Sequence, residues 1–85
     1  MKTLIDPPEA SWLAARELDL RGLKCPLPAM KTAKALTRMA KGELVVVFAT
    51  DPLSAIDIPH AAVEAGGRVV TQTRLAGELV FRIER

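Results

Sequence analysis

A run of apolar residues near the middle of the chain most constrains the fold. Residues Glu43–Thr50 read ELVVVFAT, six consecutive apolar residues rich in β-branched and aromatic side chains. Such side chains favour a pleated, packed surface, and a strand that is apolar on both faces is typical of the buried interior of a sheet. We therefore predict a central strand here, around which the rest of the chain is arranged.

Three other segments have strand patterns. Arg16–Leu20 alternates polar and apolar residues, and so does Glu78–Glu84, in which one face is apolar and the other largely polar. Arg68–Leu75 is joined to the last strand by Ala76-Gly77, a short turn typical of a hairpin.

The clearest helix is predicted over Pro26–Ala40, ending before Gly42. At 100° per residue, small and apolar side chains form a narrow stripe that we expect to face the sheet. This stripe consists of Ala29, Ala33, Leu36 and Ala40.

A second helix follows the central strand, and its start is harder to place. Asp51 and Pro52 form a helix-start signal. Pro59, however, would clash inside a helix with the carbonyl oxygen of Ala55. We expect a single loose turn after Asp51 and a helix from near Ile58. Asp57 is the predicted N-cap and would accept the backbone N–H of His60. The helix is predicted to end at Gly66-Gly67.

The resulting order is βαβαββ. Right-handed crossovers place both helices on one face of a mixed four-stranded sheet, an α/β (α+β) arrangement. We expect one domain over residues 15–85, preceded by an irregular leader over residues 1–14, in which Pro7-Pro8 opposes regular structure and Trp12 is a candidate for docking on the domain.

Composition restricts the functional classes. The 85 residues are 49% hydrophobic, with one cysteine and one histidine, so we expect no internal disulfide, no metal site and no cofactor. No apolar run reaches the roughly 18 residues that a membrane span needs, and no signal peptide is evident. A cytoplasmic monomer without membrane contact is the expectation.

The single cysteine, Cys25, lies between the first predicted strand and the first helix. The positive end of the helix, together with Arg21 and Lys24, favours the thiolate, so we expect its pKa to fall below ~8.5. Pro26 and Pro28 would stiffen the first helical turn and keep the sulfur exposed. The alternative is a small buried side chain, the commonest role of a free cysteine.

Basic residues gather around this cysteine. Residues 20–41 contain six basic and no acidic side chains, whereas residues 42–85 contain four basic and six acidic ones. One face of the first helix is a candidate docking surface for an acidic partner protein, although such a stripe is commonly just solvated. Direct nucleic-acid binding is not expected. Only 4% of residues are aromatic, which leaves little for stacking on single-stranded bases, and duplex binding by phosphate contacts alone would be weak and strongly salt-dependent. The residues of this basic face are Lys31, Lys34 and Arg38, with Lys41 nearby.

Residues Leu18–Pro28, LDLRGLKCPLP, resemble the TusA/SirA-like sulfur carriers. They carry that family's Cys-Pro-x-Pro box, preceded by Asp and Gly. Asp51-Pro52 and Asp57-Ile58-Pro59 also match its pattern, and the resemblance covers about residues 16–85.

The resemblance implies a two-layer sandwich and a sulfurtransferase-type carrier in which Cys25 accepts sulfur as a persulfide. A cysteine desulfurase or a rhodanese-type protein would supply the sulfur. A downstream acceptor protein would receive it for tRNA thiolation, cofactor assembly or sulfur metabolism. Leu27 stands where members dedicated to tRNA thiolation carry an acid. Asp19 and Gly22 would shape the loop, and Pro26 and Pro28 would position the sulfur.

Two other functions remain open. A regulatory or nucleic-acid- or protein-binding module would use the basic face of the first helix. A redox switch is disfavoured, because the chain has no second cysteine to complete a dithiol pair.

Overall fold

The computed structural model describes residues 16–85, and its elements follow the predicted order. The predicted leader over residues 1–14, including Trp12, lies outside the described residues, as does residue 15. The strands and helices are β1 (Arg16–Leu20), α1 (Leu27–Thr37), β2 (Leu44–Ala49), α2 (Ser54–Glu64), β3 (Arg68–Leu75) and β4 (Glu78–Glu84).

The four strands form one mixed sheet in the order β1-β2-β4-β3. Strand β1 runs parallel to β2, and β4 runs antiparallel to both of its neighbours. The helices pack against each other and contribute to a single core with the sheet, which confirms the predicted α+β two-layer sandwich. The prediction that β2 is an interior strand is also confirmed.

The core lies between the helices and one face of the sheet. In β2, Val45, Val47 and Ala49 are buried, whereas the alternate residues are only half-buried. The apolar run therefore serves one fully buried face rather than two. The fully or nearly fully buried apolar residues are Leu20, Leu36, Met39, Val45, Val47, Ala49, Ile58, Ala62, Leu79, Phe81 and Ile83.

Helix α1 is shorter than predicted, and its buried face is shifted by one residue. Pro28 packs inward from the first turn, so Thr32 and Leu36, four and eight residues later, follow it into the core. Ala40 lies beyond the helix end and is exposed. Of the predicted stripe, Leu36 is fully buried, Ala29 and Ala33 are half-buried, and only the placement of Ala40 is wrong.

Arg85 stabilises the end of α1. Its Nη1 donates hydrogen bonds to the backbone carbonyls of Leu36 and Met39, at 2.6 and 2.8 Å. The carbonyl of Leu36 also accepts the N–H of Met39 at 3.0 Å, and Met39 lies just beyond the helix end. Carbonyls at a helix C-terminus lack the donor four residues on, and a basic side chain can bind them. Gly42, which has a φ of +90°, donates its N–H to the carbonyl of Arg85 at 3.1 Å, in the connection between α1 and β2.

Helix α2 begins at Ser54, four residues before the predicted start, and contains Pro59. The predicted start near Ile58 is therefore wrong. Proline leaves the carbonyl of Ala55 without its usual helical donor. The side-chain amide of Gln72 in β3 donates to that carbonyl instead, at 3.2 Å. The predicted cap at Asp57 is also wrong, because Asp57 lies inside the first turn of the helix.

The end of α2 agrees with the prediction. Ala65 is the cap residue and Gly66, with a φ of +88°, turns the chain towards β3. The next residue, Gly67, has a separate role, because a Cβ there would lie 2.8 Å from the backbone oxygen of Glu84. Only glycine permits this close approach without a shift of the backbone.

Candidate functional site

The loop between β1 and α1 presents Cys25. Gly22 has a φ of +85°, a conformation that glycine adopts without strain. Its N–H donates to the hydroxyl of Thr50 at 2.9 Å, which ties the loop to the residue directly after β2. Because β1 and β2 are parallel neighbours, their carboxyl ends meet at one edge of the sheet. The loop is thereby fixed beside the start of α2.

Cys25 is exposed and stands immediately before α1. The peptide bond from Cys25 to Pro26 is cis. Pro26 occupies the cap position of α1, and the buried Pro28 is its second residue. The expectations of an exposed sulfur in front of the first helix, and of prolines in its opening turn, are confirmed.

Two carboxylates from the segment after β2 and from α2 form hydrogen bonds with Cys25. Its backbone N–H donates to Oδ2 of Asp51 at 2.6 Å, and its Sγ donates to Oδ2 of Asp57 at 2.9 Å. Asp51 also accepts the N–H of Leu53 through Oδ1, at 3.0 Å. One aspartate thus positions the backbone of Cys25, and the other contacts its sulfur.

The electrostatic surroundings of Cys25 are opposite to those expected. The hydrogen bond to Asp57 raises the pKa of the Cys25 thiol, and desolvation and the negative charges of Asp57 and Asp51 raise it further. The predicted lowering of this pKa by Arg21 and Lys24 is therefore wrong for the free protein.

Arg21 is bound elsewhere, which explains part of this difference. Its guanidinium binds both carboxylate oxygens of Asp19, at 2.8 and 2.9 Å, and Glu78 at 3.3 Å. It also lies over the ring of Phe48, 5.7 Å from the centroid. The hydrogen bonds from Arg21 lower the pKa of Asp19 to about 2, and the same pairing raises the pKa of Arg21. Asp19 and Arg21 therefore form an ion pair in which each residue shifts the pKa of the other.

Lys24 acts on an aspartate of the site. The pKa of Asp51 is lowered first by the hydrogen bonds from Cys25 and Leu53, and Lys24 adds a smaller favourable charge. The structure thus places the positive charge of Lys24 near the aspartate that braces the backbone of Cys25. Asp57 forms no ion pair within residues 16–85.

Four exposed apolar side chains are close in sequence to Cys25 or to the aspartates that contact it. They lie in the first turns of α1 and around the start of α2, close in sequence to the residues that contact or flank the sulfur. Ile56, the residue before Asp57, is 71% exposed. These exposed apolar residues are Leu27, Met30, Leu53 and Ile56.

The basic face of α1 is a second exposed surface. Its three residues, Lys31, Lys34 and Arg38, are exposed, and none forms an ion pair with another residue of the described range. Together with Leu18 and Ala35 they line an open groove. These cations are therefore available to an external partner.

One small cavity adjoins the loop that carries Cys25. A shallow depression of about 170 Å³ adjoins the loop and is lined in part by Gly22, Lys24 and Asp51. Pockets for small organic ligands usually enclose about 300–1,000 Å³. Among residues 16–85, no group of three metal-ligating side chains converges and no helix could span a membrane.

The described residues thus form a two-layer α+β domain with one exposed cysteine in front of its first helix. The chain belongs to the TusA family, because the model described as sulfurtransferase TusA matches residues 16–85.

Relatives with curated names agree with this family. The chain is 36% identical over 70 residues to the sulfur carrier protein TusA of Allochromatium vinosum, covering 82% of this chain and 92% of that protein. It is 38% identical over 68 residues to the sulfur carrier protein TusA of Pseudomonas aeruginosa strain PAO1, covering 80% and 86%. A putative sulfur carrier protein of Aquifex aeolicus is 33% identical over 70 residues, which are 82% of this chain and 36% of that protein. These matches support a sulfur-carrier role.

The contacts of Asp51 and Asp57 with Cys25 were missed by sequence reasoning. The sequence predicts Asp51 and Asp57 as helix-start residues and as matches to the family pattern, but not as partners of Cys25. A usable signal was present, since two parallel strands end at the same edge of a sheet. The residues after β2 therefore had to lie near the loop after β1.

Proposed function

We propose that this protein accepts sulfur as a persulfide on Cys25 and passes it to a partner protein in a sulfur relay. The observation that carries the proposal is the exposed Sγ of Cys25, held in front of α1 by a loop that is bonded to Thr50 and Asp51. Transfer between two proteins needs a sulfur that a second cysteine can reach, and this one is at the surface.

The surroundings fit a carrier better than a redox switch. Cys25 is the only cysteine of the chain, so a persulfide on it cannot be resolved by a second thiol of the same molecule. The donor would be a cysteine desulfurase or a rhodanese-type protein. The acceptor would serve tRNA thiolation, cofactor assembly or sulfur metabolism. Leu27, between the two prolines, departs from the acid that members dedicated to tRNA thiolation carry there, so the box does not select one of these relays.

We assign distinct roles to the other residues. Asp19, paired with Arg21, and Gly22 shape the loop, while Pro26 and Pro28 orient the first turn below the sulfur. Arg21 contributes through this pairing rather than by direct contact with a thiolate. Lys24 supports Asp51 in the free protein.

The basic face serves, in this proposal, as a docking surface for an acidic partner. The exposure of Lys31, Lys34 and Arg38, without ion pairs in the described part of the chain, supports it. The same observation supports the second candidate, a regulatory or nucleic-acid-binding module. Charges at the edge of a protein–protein interface act mainly on the rate at which the two proteins associate. The two candidates can therefore be separated by experiment.

The decisive experiment is intact-mass analysis after incubation with a cysteine desulfurase and cysteine. We expect the protein to gain one sulfur atom and to lose it again on treatment with a reducing thiol. A protein that gains no sulfur from either a desulfurase or a rhodanese-type donor would contradict the proposal.

A further inference from the structure

The hydrogen bond between Cys25 and Asp57 has consequences for the choice of partner. Sγ lies 2.9 Å from Oδ2 of Asp57, and in this contact the thiol is the donor. A second carboxylate, Asp51, binds the backbone N–H of the same residue at 2.6 Å. The nucleophile of a sulfur transfer is the thiolate, and here two negative groups stand beside the atom that must become negative.

We propose that Asp57 masks the Cys25 thiol in the free protein and that a cationic side chain next to the persulfide of the sulfur donor removes the mask. This inference rests on the proposed function and specifies the chemistry of the donor surface. Asp57 touches the reacting sulfur, so its role is in the reaction and not only in the packing of α2.

The charges that face Cys25 explain why the cation must come from outside. Asp57 approaches from α2, Asp51 from the segment after β2, and Lys24 from the loop of Cys25 itself. Lys24 acts on Asp51, Arg21 is bound to Asp19 and Glu78, and Asp57 has no ion pair within residues 16–85. The described domain therefore offers Asp57 no neutralising partner.

The transfer step gives a second reason why a cation on the donor is needed, because negative charge develops beside the aspartates. A cation beside Asp57 favours loss of the thiol proton to solvent. The Cys25 thiolate then attacks the terminal sulfur of the donor's cysteine persulfide, R–S–SH. One S–S bond forms on Cys25, the S–S bond of the donor breaks, and the electron pair leaves with the donor's cysteine sulfur, which takes up a proton.

The products are Cys25–S–SH and R–SH, with no net oxidant or reductant. Negative charge develops on both proteins beside the two aspartates during this step. A partner cation would offset that repulsion, and a donor without one would react slowly.

The test uses three small disulfides in place of a protein donor: cationic cystamine, neutral bis(2-hydroxyethyl) disulfide and anionic dithiodiglycolate. In each case the thiolate of Cys25 attacks a sulfur, a mixed disulfide forms, and a thiol leaves. The leaving thiols differ in acidity, so only the change in the rate ratio between protein variants is interpreted. The variants are Asp57→Gln and the nearly isosteric Asp57→Asn, with Glu64→Gln as the matched control at the other end of α2.

We expect the cationic-to-neutral rate ratio to fall about fivefold in both Asp57 variants, the factor for one unit-charge pair at contact distance in water. The ratio should be unchanged in Glu64→Gln, and for the native protein it should decrease in 1 M salt. Alkylation by iodoacetamide, a neutral reagent, should at the same time become several-fold faster at pH 7 in the Asp57 variants, because the thiol loses its neighbouring charge.

Two results would overturn the inference. One is an alkylation rate that Asp57→Asn leaves unchanged or lowers, and the other is an unaltered cationic-to-neutral ratio. No sulfur donor is used, so the mask and the carrier function can fail separately. A protein with the Asp57-dependent ratio that takes no sulfur from a desulfurase would retain the mask and lose the proposed function.

Discussion

The side-chain amide of Gln72 donates a hydrogen bond of 3.2 Å to the backbone carbonyl of Ala55. Ala55 lies four residues before Pro59, whose ring nitrogen carries no hydrogen to donate to that oxygen. A strand side chain thus replaces the missing helical bond. This allows α2 to continue through its proline and to place Asp57 against Cys25.

Replacing Gln72 with Ala should therefore destabilise the fold by about 1 kcal/mol, the usual net worth of one hydrogen bond. The loss should be smaller in a Pro59→Ala background, where residue 59 regains an N–H for the carbonyl of Ala55. Urea unfolding of the four proteins of this cycle measures the coupling. Equal losses in both backgrounds would show that the Gln72 contact does not compensate for Pro59.

Replacing Cys25 with Ser should abolish the gain of sulfur and leave stability within about 0.5 kcal/mol of the native value, because the side chain is exposed. Intact mass and thermal unfolding on the same samples provide the two measurements. A Cys25→Ser protein that still gains sulfur, or that unfolds markedly earlier, would contradict the role assigned to this residue.

Charge reversal of the basic face should separate docking from sulfur chemistry. With Lys31, Lys34 and Arg38 changed together to Glu, we expect association with the sulfur donor to become slower and less dependent on salt. The reaction of Cys25 with iodoacetamide should keep its rate, because these residues lie past the first turn of α1.

A matched control reverses the same number of charges on the sheet. The control residues are Arg16, Arg74 and Arg82, which are exposed and, like those of the basic face, form no ion pair with the described residues. If reversal on α1 leaves sulfur transfer intact but abolishes binding to tRNA or duplex DNA, the nucleic-acid-binding candidate is correct and the docking proposal is wrong.

Acid should expose the contribution of the Asp19–Arg21 pair. The pKa of Asp19 is lowered from 3.8 to about 2 in the folded protein, so between these values the unfolded chain binds the proton more readily. The pair therefore stabilises the fold above pH 4, and this contribution is lost as the pH falls towards 2. The stability difference between the native protein and Asp19→Asn should narrow over that window in urea titrations. Glu17→Gln, an exposed change on the same strand, serves as the control, and a difference independent of pH would argue against the pairing.

Local patterns were sufficient for much of this molecule. The apolar run of β2 and the alternation in β4 predicted an interior strand and a one-sided strand, because side-chain burial follows the pleat. The prolines and the glycine beside Cys25 likewise act on their own backbone, and so the exposed position of the sulfur was predictable.

The errors about α2 and about the charges around Cys25 involve contacts between residues distant in sequence. Pro59 argues against a helix until Gln72, on another element, is seen to bind Ala55. Arg21 was assigned to the neighbouring cysteine, but Glu78, 57 residues away in sequence, shares its guanidinium. Sequence proximity suggested the charge environment of Cys25, whereas the packing of α2 against the loop determines it.

The position of β4 between β2 and β3 bears on how the domain forms during synthesis. The last strand of the domain to leave the ribosome is an interior strand of the sheet. Until it emerges, β3 has no partner among the described strands, and β2 is paired with β1 at one edge and unpaired at the other. The nascent chain can form the first parallel pair and its helix early. The complete sheet must instead close after translation of β4, when that strand inserts between two segments that are already present.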